Sequence, residues 1–253
     1  EFIGLGHFDR LLTGDRLFLR INKWPPSGAL INTIVWIIFL PTLTVIFGLI
    51  VAVLADGKKY ESFIKSLIFI PMAISATAAS VIFRFVYNSD PETGVLNALL
   101  TFILPELEPI PWLGRKGMAN FAVIFAAVWI WTGLAMTILS AAYKALPQEI
   151  IEAAIIDGAT AWQRFWRITL PMLTVPITFL GVVMIINALK MIDLVYVMTM
   201  GGPRGGTRVI GYSVFVEMFA NGKIGYGSAI GVILLILILP IILYQLKQLR
   251  QQL

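Results

Sequence analysis

Five long apolar runs, separated by polar segments, dominate the hydrophobic pattern of the chain. Each run exceeds the ~20 residues that a helix needs to cross a hydrocarbon core of about 30 Å. The apolar residues are continuous and do not alternate with polar ones, so the pattern favours helices over barrel strands. The predicted spans are residues 28–55, 63–87, 120–143, 172–195 and 226–246. The predicted fold is therefore an all-α, polytopic membrane helix bundle.

Four prolines lie inside these apolar runs. A proline in a helix interior lacks an N–H donor and clashes with the preceding turn, so it bends the helix. In a membrane, neighbouring helices must then satisfy the freed carbonyl group. We therefore predict a kinked helix at each of Pro41, Pro71, Pro176 and Pro240.

The composition agrees with a membrane location. Hydrophobic residues make up 58% of the 253 residues and charged residues 13%, with a mean hydropathy of +0.88. Soluble domains usually contain about a quarter charged residues. The chain has no cysteine and one histidine, His7, so we expect no disulfide, metal site or imidazole chemistry. The net charge of +5 is scattered among apolar runs, which indicates membrane-flanking charge and argues against nucleic-acid binding.

The basic residues suggest an orientation in the membrane. Alternating spans place one set on the same side, and the positive-inside tendency assigns that side to the cytoplasm. The set comprises Lys58, Lys59, Lys65, Lys144, Arg164, Arg167, Lys247 and Arg250. Residues 1–27 then form an external segment, and because no signal peptide explains their export, we expect a sixth span ahead of residue 1. In this interpretation residues 28–253 form the transmembrane domain. The alternative is a five-span protein of the opposite orientation.

The polar connection at residues 145–171 predicts a helix, a bend and a second helix. Pro147 suits the first turn, and Glu149 and Glu152 complement the positive helix end. Gly158 permits the backbone conformation that ends this helix after Ile156. The predicted apolar face consists of Ile150, Ile151, Ala154 and Ile155.

The second predicted helix, at residues 160–170, combines aromatic and basic side chains. These are Trp162, Phe165 and Trp166 beside Arg164 and Arg167. Local physics alone leaves two interpretations open. The pair of helices is either an amphipathic hairpin lying on lipid headgroups or a contact surface for a soluble partner.

The order of residues in this segment resembles a known motif. Glu152-Ala153-Ala154, Gly158, Ile168, Leu170 and Pro171 stand at the spacing of the EAA loop of permease subunits from binding-protein-dependent ABC importers. Asp157-Gly158-Ala159 with Trp162 and Phe165 resembles the carbohydrate-uptake branch. The stretches 193–229 and 2–13, with Asn32-Thr33, are similar to other parts of maltose-type and glycerol-phosphate-type permeases. The resemblance covers nearly the whole chain.

This resemblance implies a coupling role for residues 152–158. In that family the loop forms a cytoplasmic coupling helix that docks in a cleft of a separate ATPase, so the implied coupling residues are Glu152, Ala153, Ala154, Asp157 and Gly158. The implied partners are a second permease subunit, two ATP-binding subunits and an external solute-binding protein. ATP and Mg²⁺ would be bound by the partner ATPase and not by this chain. The implied location is a bacterial or archaeal inner membrane.

Polar residues near the end of the fourth predicted span are candidates for a solute path. Asn187, Lys190 and Asp193 stand at spacings of three, which places them on one face of a continuous helix. The alternative is a Lys190–Asp193 ion pair that only fixes helix packing. Sugar sites combine hydrogen-bonding groups with aromatic faces. Tyr196 is therefore a further candidate, and so are Trp129 and Trp131.

No segment has the G-x-x-x-x-G-K-[ST] pattern of a phosphate-binding loop, so we expect no ATPase site in this chain. The predicted function is that of a permease subunit for a sugar or related polar solute. Two other functions stay open: an ATP-independent channel or secondary transporter, and a membrane scaffold without a transport path.

Overall fold

A computed structural model describes residues 3–21 and 26–252, with side chains described except at 246 and 248–252. Within these ranges the chain is helical, apart from loops and one isolated β-bridge between Arg20 and Ser27. The helices are α1 Gly6–Asp9, α2 Ala29–Ala55, α3 Glu61–Phe69, α4 Ala76–Val86, α5 Val95–Ile103, α6 Met118–Lys144, α7 Gln148–Ile156, α8 Ala161–Arg164, α9 Leu170–Met172, α10 Thr174–Leu189, α11 Asp193–Thr199, α12 Ile210–Phe215 and α13 Ile224–Gln252. Wider π-helical turns follow α1, α8 and α12, and a 3-10 turn, Ile70–Ala73, follows α3. The prediction of an all-α bundle is confirmed.

Three helices in the described part of the chain, α2, α6 and α13, are long and apolar enough to cross a membrane unbroken. Two further spans are bent pairs, and counting each pair as one span gives up to five. Of the three unbroken helices, α6 has the most buried apolar stretch, at 61%, whereas α13 has 22%. Helix α6 therefore forms the centre of the bundle, and α13 presents most of its surface outward.

The second predicted span is not one continuous helix. Helix α3 and its 3-10 turn meet α4 at an angle of 104°. Pro71 lies in the 3-10 turn, and the Ser75 hydroxyl caps α4 by accepting from the Ala78 N–H at 3.2 Å. Pro41 and Pro240, in contrast, lie inside helices that continue past them. A sharp break therefore accompanies Pro71 and lies just before Pro176, whereas kinks at Pro41 and Pro240 stay predictions.

The fourth predicted span is interrupted twice. A 65° bend at Leu173 separates α9 from α10, and α10 ends at Leu189, before α11 begins at Asp193. Helix α12 approaches this second break closely. A Cβ atom at Gly211 would lie 2.9 Å from the Leu189 carbonyl oxygen and 3.1 Å from that of Met191. The break is therefore built into the packing of α10, α11 and α12.

Helices α2 and α6 run parallel and form the central pair of the bundle. Near their N-terminal ends, the Trp36 indole N–H donates to Asn120 Oδ1 at 2.9 Å. Farther along, a Cβ atom at Gly48 would lie 2.6 Å from the Ala135 Cβ, so the two backbones approach closely there. Close approach through small residues is a common way of packing helices in a membrane.

The C-terminal ends of α2 and α6 meet at the side of the bundle that carries residues 145–171. Lys144 Nζ, at the end of α6, lies 3.7 Å from Asp56 Oδ1, just past the end of α2. A cluster that we name the inner core packs beneath these ends. Its buried members are Leu49, Ala52, Ala135, Leu139, Leu146, Leu173 and Leu180. The loop at 145–171 is thus attached to α2, α6 and α10 through one apolar cluster.

Candidate functional site: the loop between α6 and α10

Helix α7 presents two different sides. Ala154 is buried, and Ile151 packs against the inner core. Ile155 and Ile156 are 51% and 85% exposed. The predicted apolar face is only partly buried: Ala154 and Ile151 meet the bundle, whereas Ile150 and Ile155, one turn from them on the same face, are exposed. One side of α7 holds the helix to the bundle, and the other side is free for a contact outside it.

The end of α7 is a Schellman motif. Gly158 has a φ of +78°, its N–H donates to the Ile155 carbonyl at 3.0 Å, and the Ala159 N–H donates to the Ala154 carbonyl at 2.9 Å. Glycine adopts this left-handed conformation at no steric cost, which makes it the usual residue at this position. The predicted helix end at Gly158 is confirmed.

A capping box starts the second helix of the loop directly after this bend. The Thr160 hydroxyl accepts from the Gln163 N–H at 3.3 Å, and Gln163 Oε1 accepts from the Thr160 N–H at 2.9 Å. Arg164 Nη1 donates to the Ala159 carbonyl at 2.7 Å. These three contacts and the Schellman motif satisfy the backbone groups of the bend, so the angle between the two helices is specified locally.

Aromatic side chains cover the second half of the loop. Trp162 lies edge-on to Trp166 at a ring distance of 5.4 Å and is 70% exposed, whereas Phe165 packs against the inner core. The predicted helix at 160–170 is present as α8, a π-helical turn over Phe165–Thr169, and α9. Phe165 and Leu170 attach this half of the loop to the helices of the bundle.

Four of the five predicted coupling residues lie on the exposed side of this loop. Glu152, Ala153, Asp157 and Gly158 are exposed, and the carboxylates of Glu152 and Asp157 take part in none of the ion pairs among the described residues. Ala154 is different, because it is buried against the bundle and packs inward. The loop thus exposes two unpaired carboxylates beside small and apolar residues.

The predicted solute-path residues surround the break between α10 and α11. Lys190 follows α10, Asp193 begins α11, and Tyr196 lies on α11; all three are exposed. The half-buried Asn187 donates through Nδ2 to the Val183 carbonyl within its own helix at 3.0 Å. The prediction that Asn187, Lys190 and Asp193 share one face of a continuous helix is wrong, since the helix ends before Asp193. An ion pair between Lys190 and Asp193 does not occur among the described contacts.

The aromatic candidates for the solute path divide into two groups. Tyr196 lies edge-on to Phe215 at a ring distance of 5.7 Å and 6.3 Å from the Tyr212 ring, which places an exposed phenol beside two aromatic rings. Trp129 instead lies edge-on to Phe83 at 5.3 Å, and both Trp129 and Trp131 pack against the central core of the bundle. The structure therefore brings Tyr196 to the exposed break and uses the two tryptophans in packing.

Sequence reasoning missed a polar cluster at the end of the bundle that carries residues 145–171. Glu61 accepts from Lys65 and from Lys144 Nζ, the latter at 2.6 Å, and Lys65 also donates to the Ser140 hydroxyl. A cavity of about 770 Å³ opens beside it. The Glu61–Lys65 pair has the i,i+4 spacing that favours helical ion pairs, so half of the cluster is visible in the sequence. Lys144 and Ser140 come from α6 and could not be placed there without the fold.

A bundle of apolar helices, two of them sharply broken, with an ordered polar loop at one end defines a multi-spanning membrane protein. The chain belongs to the family described as "Binding-protein-dependent transport system inner membrane component", which it matches over residues 44–250. This membership confirms the resemblance seen in the EAA spacing. The chain is therefore a permease subunit of an ABC importer, located in the inner membrane, and ATP hydrolysis belongs to a separate subunit.

Named relatives in the same family are similar over most of the chain. The "osmoprotective compounds uptake permease protein GgtC" of Synechocystis sp. is 44% identical over 225 residues, which is 87% of this chain and 79% of that protein. The "alpha-glucoside transport system permease protein AglF" of Rhizobium meliloti is 35% identical over 252 residues, 98% of this chain and 71% of that protein.

A solved structure shares the fold. It is a chain in the crystal structure of a bacterial ABC transporter involved in the import of the acidic polysaccharide alginate. The TM-score is 0.79 at 22% identity, and the match covers 99% of this chain and 84% of that chain. The broken spans and the loop between α6 and α10 thus belong to a fold found in an importer.

Proposed function

We propose that this permease subunit imports a sugar or a sugar-like polar solute, driven by a separate ATPase that binds the loop between α6 and α10. The observation that carries the proposal is the two-sided helix α7. Its inward side is fixed to the inner core, and its outward side exposes Glu152 and Asp157 with Ile155 and Ile156. An anchored helix with an exposed, unpaired surface is suited to passing a displacement from a partner into the bundle.

The exposed surface of α7 has the chemistry of a protein contact. Carboxylates pair strongly with arginine and lysine side chains, and exposed isoleucines gain free energy when a partner covers them. We assign Glu152, Ala153, Asp157 and Gly158 to the contact with the ATPase, and Ala154 to holding α7 on the bundle. ATP and Mg²⁺ would then be bound by the partner subunits. Two ATP-binding subunits and a second permease subunit complete the proposed complex.

We place the solute path at the break between α10 and α11. Lys190, Asp193 and Tyr196 offer charged and hydroxyl groups that can hydrogen-bond a polyhydroxylated solute, and a tyrosine ring can cover an apolar sugar face. Asn187 lies one turn earlier and needs only to exchange its bond to Val183 for one to the solute. The substrate class follows the names of relatives, which transport alpha-glucosides, trehalose and maltose, or osmoprotective compounds.

The proposed orientation puts the loop between α6 and α10 in the cytoplasm. The N-terminal segment at residues 3–21 and the loop at 200–208 then lie on the opposite, outer side. A solute-binding protein would deliver its cargo there. A complex of an alginate transporter with a periplasmic binding protein provides the structural parallel for this step.

Reconstitution of the purified complex in liposomes tests this function. Uptake of labelled maltose, trehalose and an α-glucoside is measured with and without ATP inside the vesicles, and a non-carbohydrate osmoprotectant such as glycine betaine serves as the comparison solute. We expect uptake of at least one carbohydrate that depends on ATP and on the binding protein. Uptake that is independent of ATP would instead support a channel or secondary transporter, and uptake of glycine betaine alone would overturn the substrate class.

A further inference from the structure

Three cationic side chains gather at the end of the bundle opposite the loop between α6 and α10. Arg20 and Lys116 line a cavity of about 370 Å³. Partial burial lowers the pKa of Lys116 most, and the positive charges of Arg20 and Arg204 lower it further. Arg204 is therefore the third cation of the group. None of the three belongs to an ion pair among the residues that the structure describes. The described lining of the cavity therefore has an excess of positive charge and includes no carboxylate.

The cations are held by an ordered framework. The Arg20 backbone pairs with Ser27 through two hydrogen bonds of 2.8 and 3.0 Å. Asn32 Nδ2 donates to the carbonyls of Gly205 and Arg208, at 3.1 and 2.9 Å, and so fixes the loop that contains Arg204. A Cβ atom at Gly206 would lie 3.0 Å from Lys116 Cγ, so the stem of that lysine passes directly over this loop.

Two further features increase the positive potential of the cavity. Helices α2 and α6, each of 27 residues, both begin beside it, and the N-terminal end of a helix attracts anions. Arg20 Nε is buried and has no hydrogen-bond partner within the described ranges. A buried donor without a partner is unfavourable, so an anionic ligand that accepts this hydrogen bond would remove a cost as well as satisfy the charge.

The lining and surroundings of the cavity identify the class of anion. Besides the cations, Ile31, Val35 and Phe121 line it. The surface of α2 and α6 then continues along the membrane as exposed apolar side chains, including Ile38 at 54% and the Phe39–Phe121 pair, whose rings lie 5.1 Å apart. A soluble anion would use only the cationic end. A phospholipid uses both, since its phosphate can meet the cations while its acyl chains follow the apolar surface.

We propose that the cavity between Arg20, Lys116 and the N-terminal ends of α2 and α6 binds the headgroup of an anionic phospholipid. The lipid belongs to the leaflet opposite the loop between α6 and α10. Its phosphate accepts from Arg20 and Lys116, with Arg204 adding charge at the rim. The bound lipid would neutralise the clustered cations and would hold residues 15–21 and the loop at 200–208 against the bundle. This site is separate from both the ATPase contact and the proposed solute path.

The test measures the phospholipid retained by the purified transporter complex. Wild-type complex is placed in nanodiscs that contain equal amounts of phosphatidylglycerol and phosphatidylcholine, transferred to detergent, and analysed by native mass spectrometry. We expect selective retention of phosphatidylglycerol. Because a basic side chain near an anionic headgroup contributes a factor of about five, Lys116→Gln should lower the retention about fivefold and Arg20→Gln with Lys116→Gln about 25-fold.

A matched control uses the neighbouring arginine. Arg115→Gln removes the same charge from the adjacent, exposed position, which does not line the cavity, and it should leave retention within about twofold of wild type. Equal losses in the Arg115 and Lys116 variants, or equal retention of the two lipids by wild type, would overturn the proposal. Binding of inorganic phosphate by a complex that retains no lipid would also overturn it. So would a Lys116→Gln variant that no longer captures the binding protein but retains as much lipid as wild type. Should the double variant fail to assemble, the wild-type selectivity and the two single variants still decide.

Discussion

The ammonium nitrogen of Lys144 lies 2.6 Å from Glu61 Oε1, and this ion pair joins the last residue of α6 to the first residue of α3. Lys65 donates to the same carboxylate, and the Gly57 N–H donates to its other oxygen at 3.0 Å. Only three residues separate Lys144 from the start of α7. The ion pair therefore lies where a displacement of the loop would enter the bundle.

We expect Glu61→Gln to weaken the contact between the end of α6 and the start of α3. The neutral amide leaves the ammonium groups of Lys65 and Lys144 close together without a carboxylate between them. Lys144 is 53% exposed, so solvent screens much of the effect. The expected lowering of the thermal midpoint is about 2 °C, measured on the purified complex in detergent. The control is Lys58→Gln, which lies between α2 and α3 but outside the described ion pairs. An equal shift in both variants would contradict the proposed role of the Glu61–Lys144 ion pair.

Two substitutions at Gly158 can separate its role in the bend of the loop from its role in the proposed contact with the ATPase. Among the described residues, no heavy atom lies within 4 Å of the position that a Cβ atom would take, so the bundle itself leaves room for a side chain. Valine is strained at a φ of +78°, by about 1–2 kcal/mol, whereas asparagine tolerates the left-handed conformation. We expect both Gly158→Val and Gly158→Asn to reach the membrane.

Both variants should nevertheless reduce ATP-driven uptake, by about tenfold or more, if the ATPase approaches the backbone at Gly158 closely. Uptake in reconstituted vesicles and co-purification of the ATPase are the measurements. Glu149→Gln, on the first turn of the same helix, serves as the control for a change elsewhere on α7. Normal uptake by the asparagine variant, with loss only in the valine variant, would show that Gly158 serves the bend and not the contact.

The loop at 145–171 could be predicted well because its signals are local. The N–H groups of Gly158 and Ala159 end α7 by donating to carbonyls three and five positions earlier. Thr160 and Gln163 cap the next helix across three positions. The burial of the apolar side chains could not be predicted in the same way. Ile151 and Ile155 lie one turn apart on the same side of α7, yet of the two Ile151 packs against the inner core and Ile155 is exposed, because the position of that core is set by other helices.

The break between α10 and α11 shows the limit of hydropathy. Residues 172–195 are apolar enough to suggest one span, yet the helix stops where Gly211 brings the α12 backbone against the carbonyls of Leu189 and Met191. That approach joins residues about twenty positions apart in sequence. The candidates for the solute path, Lys190, Asp193 and Tyr196, follow from polarity, spacing and aromatic character, and only the fold shows that they surround a break.

The exposed groups at this break should affect transport more than assembly. We expect Asp193→Asn and Tyr196→Phe each to raise the KM for uptake about three- to tenfold, since each removes one hydrogen-bonding or charged group from the proposed path. Amounts of assembled complex should stay unchanged, because neither side chain is buried. The measurement is the concentration dependence of uptake in vesicles. Glu106→Gln, an exposed carboxylate in the loop after α5, is the control; an unchanged KM in both test variants would place the path elsewhere.

Loss of the ion pair between Arg208 and Glu217 should affect assembly more than transport, because this pair is nearly buried. Arg208 Nη2 lies 2.7 Å from Glu217 Oε1, with the two side chains 12% and 9% exposed, and Asn221 Nδ2 donates to the other carboxylate oxygen at 3.0 Å. Glu217→Ala leaves a buried guanidinium without its partner, which costs about 3–5 kcal/mol. Glu217→Gln keeps an acceptor for Arg208 and should cost less. We therefore expect the yield and thermal midpoint of the assembled complex to fall in the order wild type, glutamine variant, alanine variant. An alanine variant as stable as wild type would mean that water reaches Arg208 and replaces the lost carboxylate.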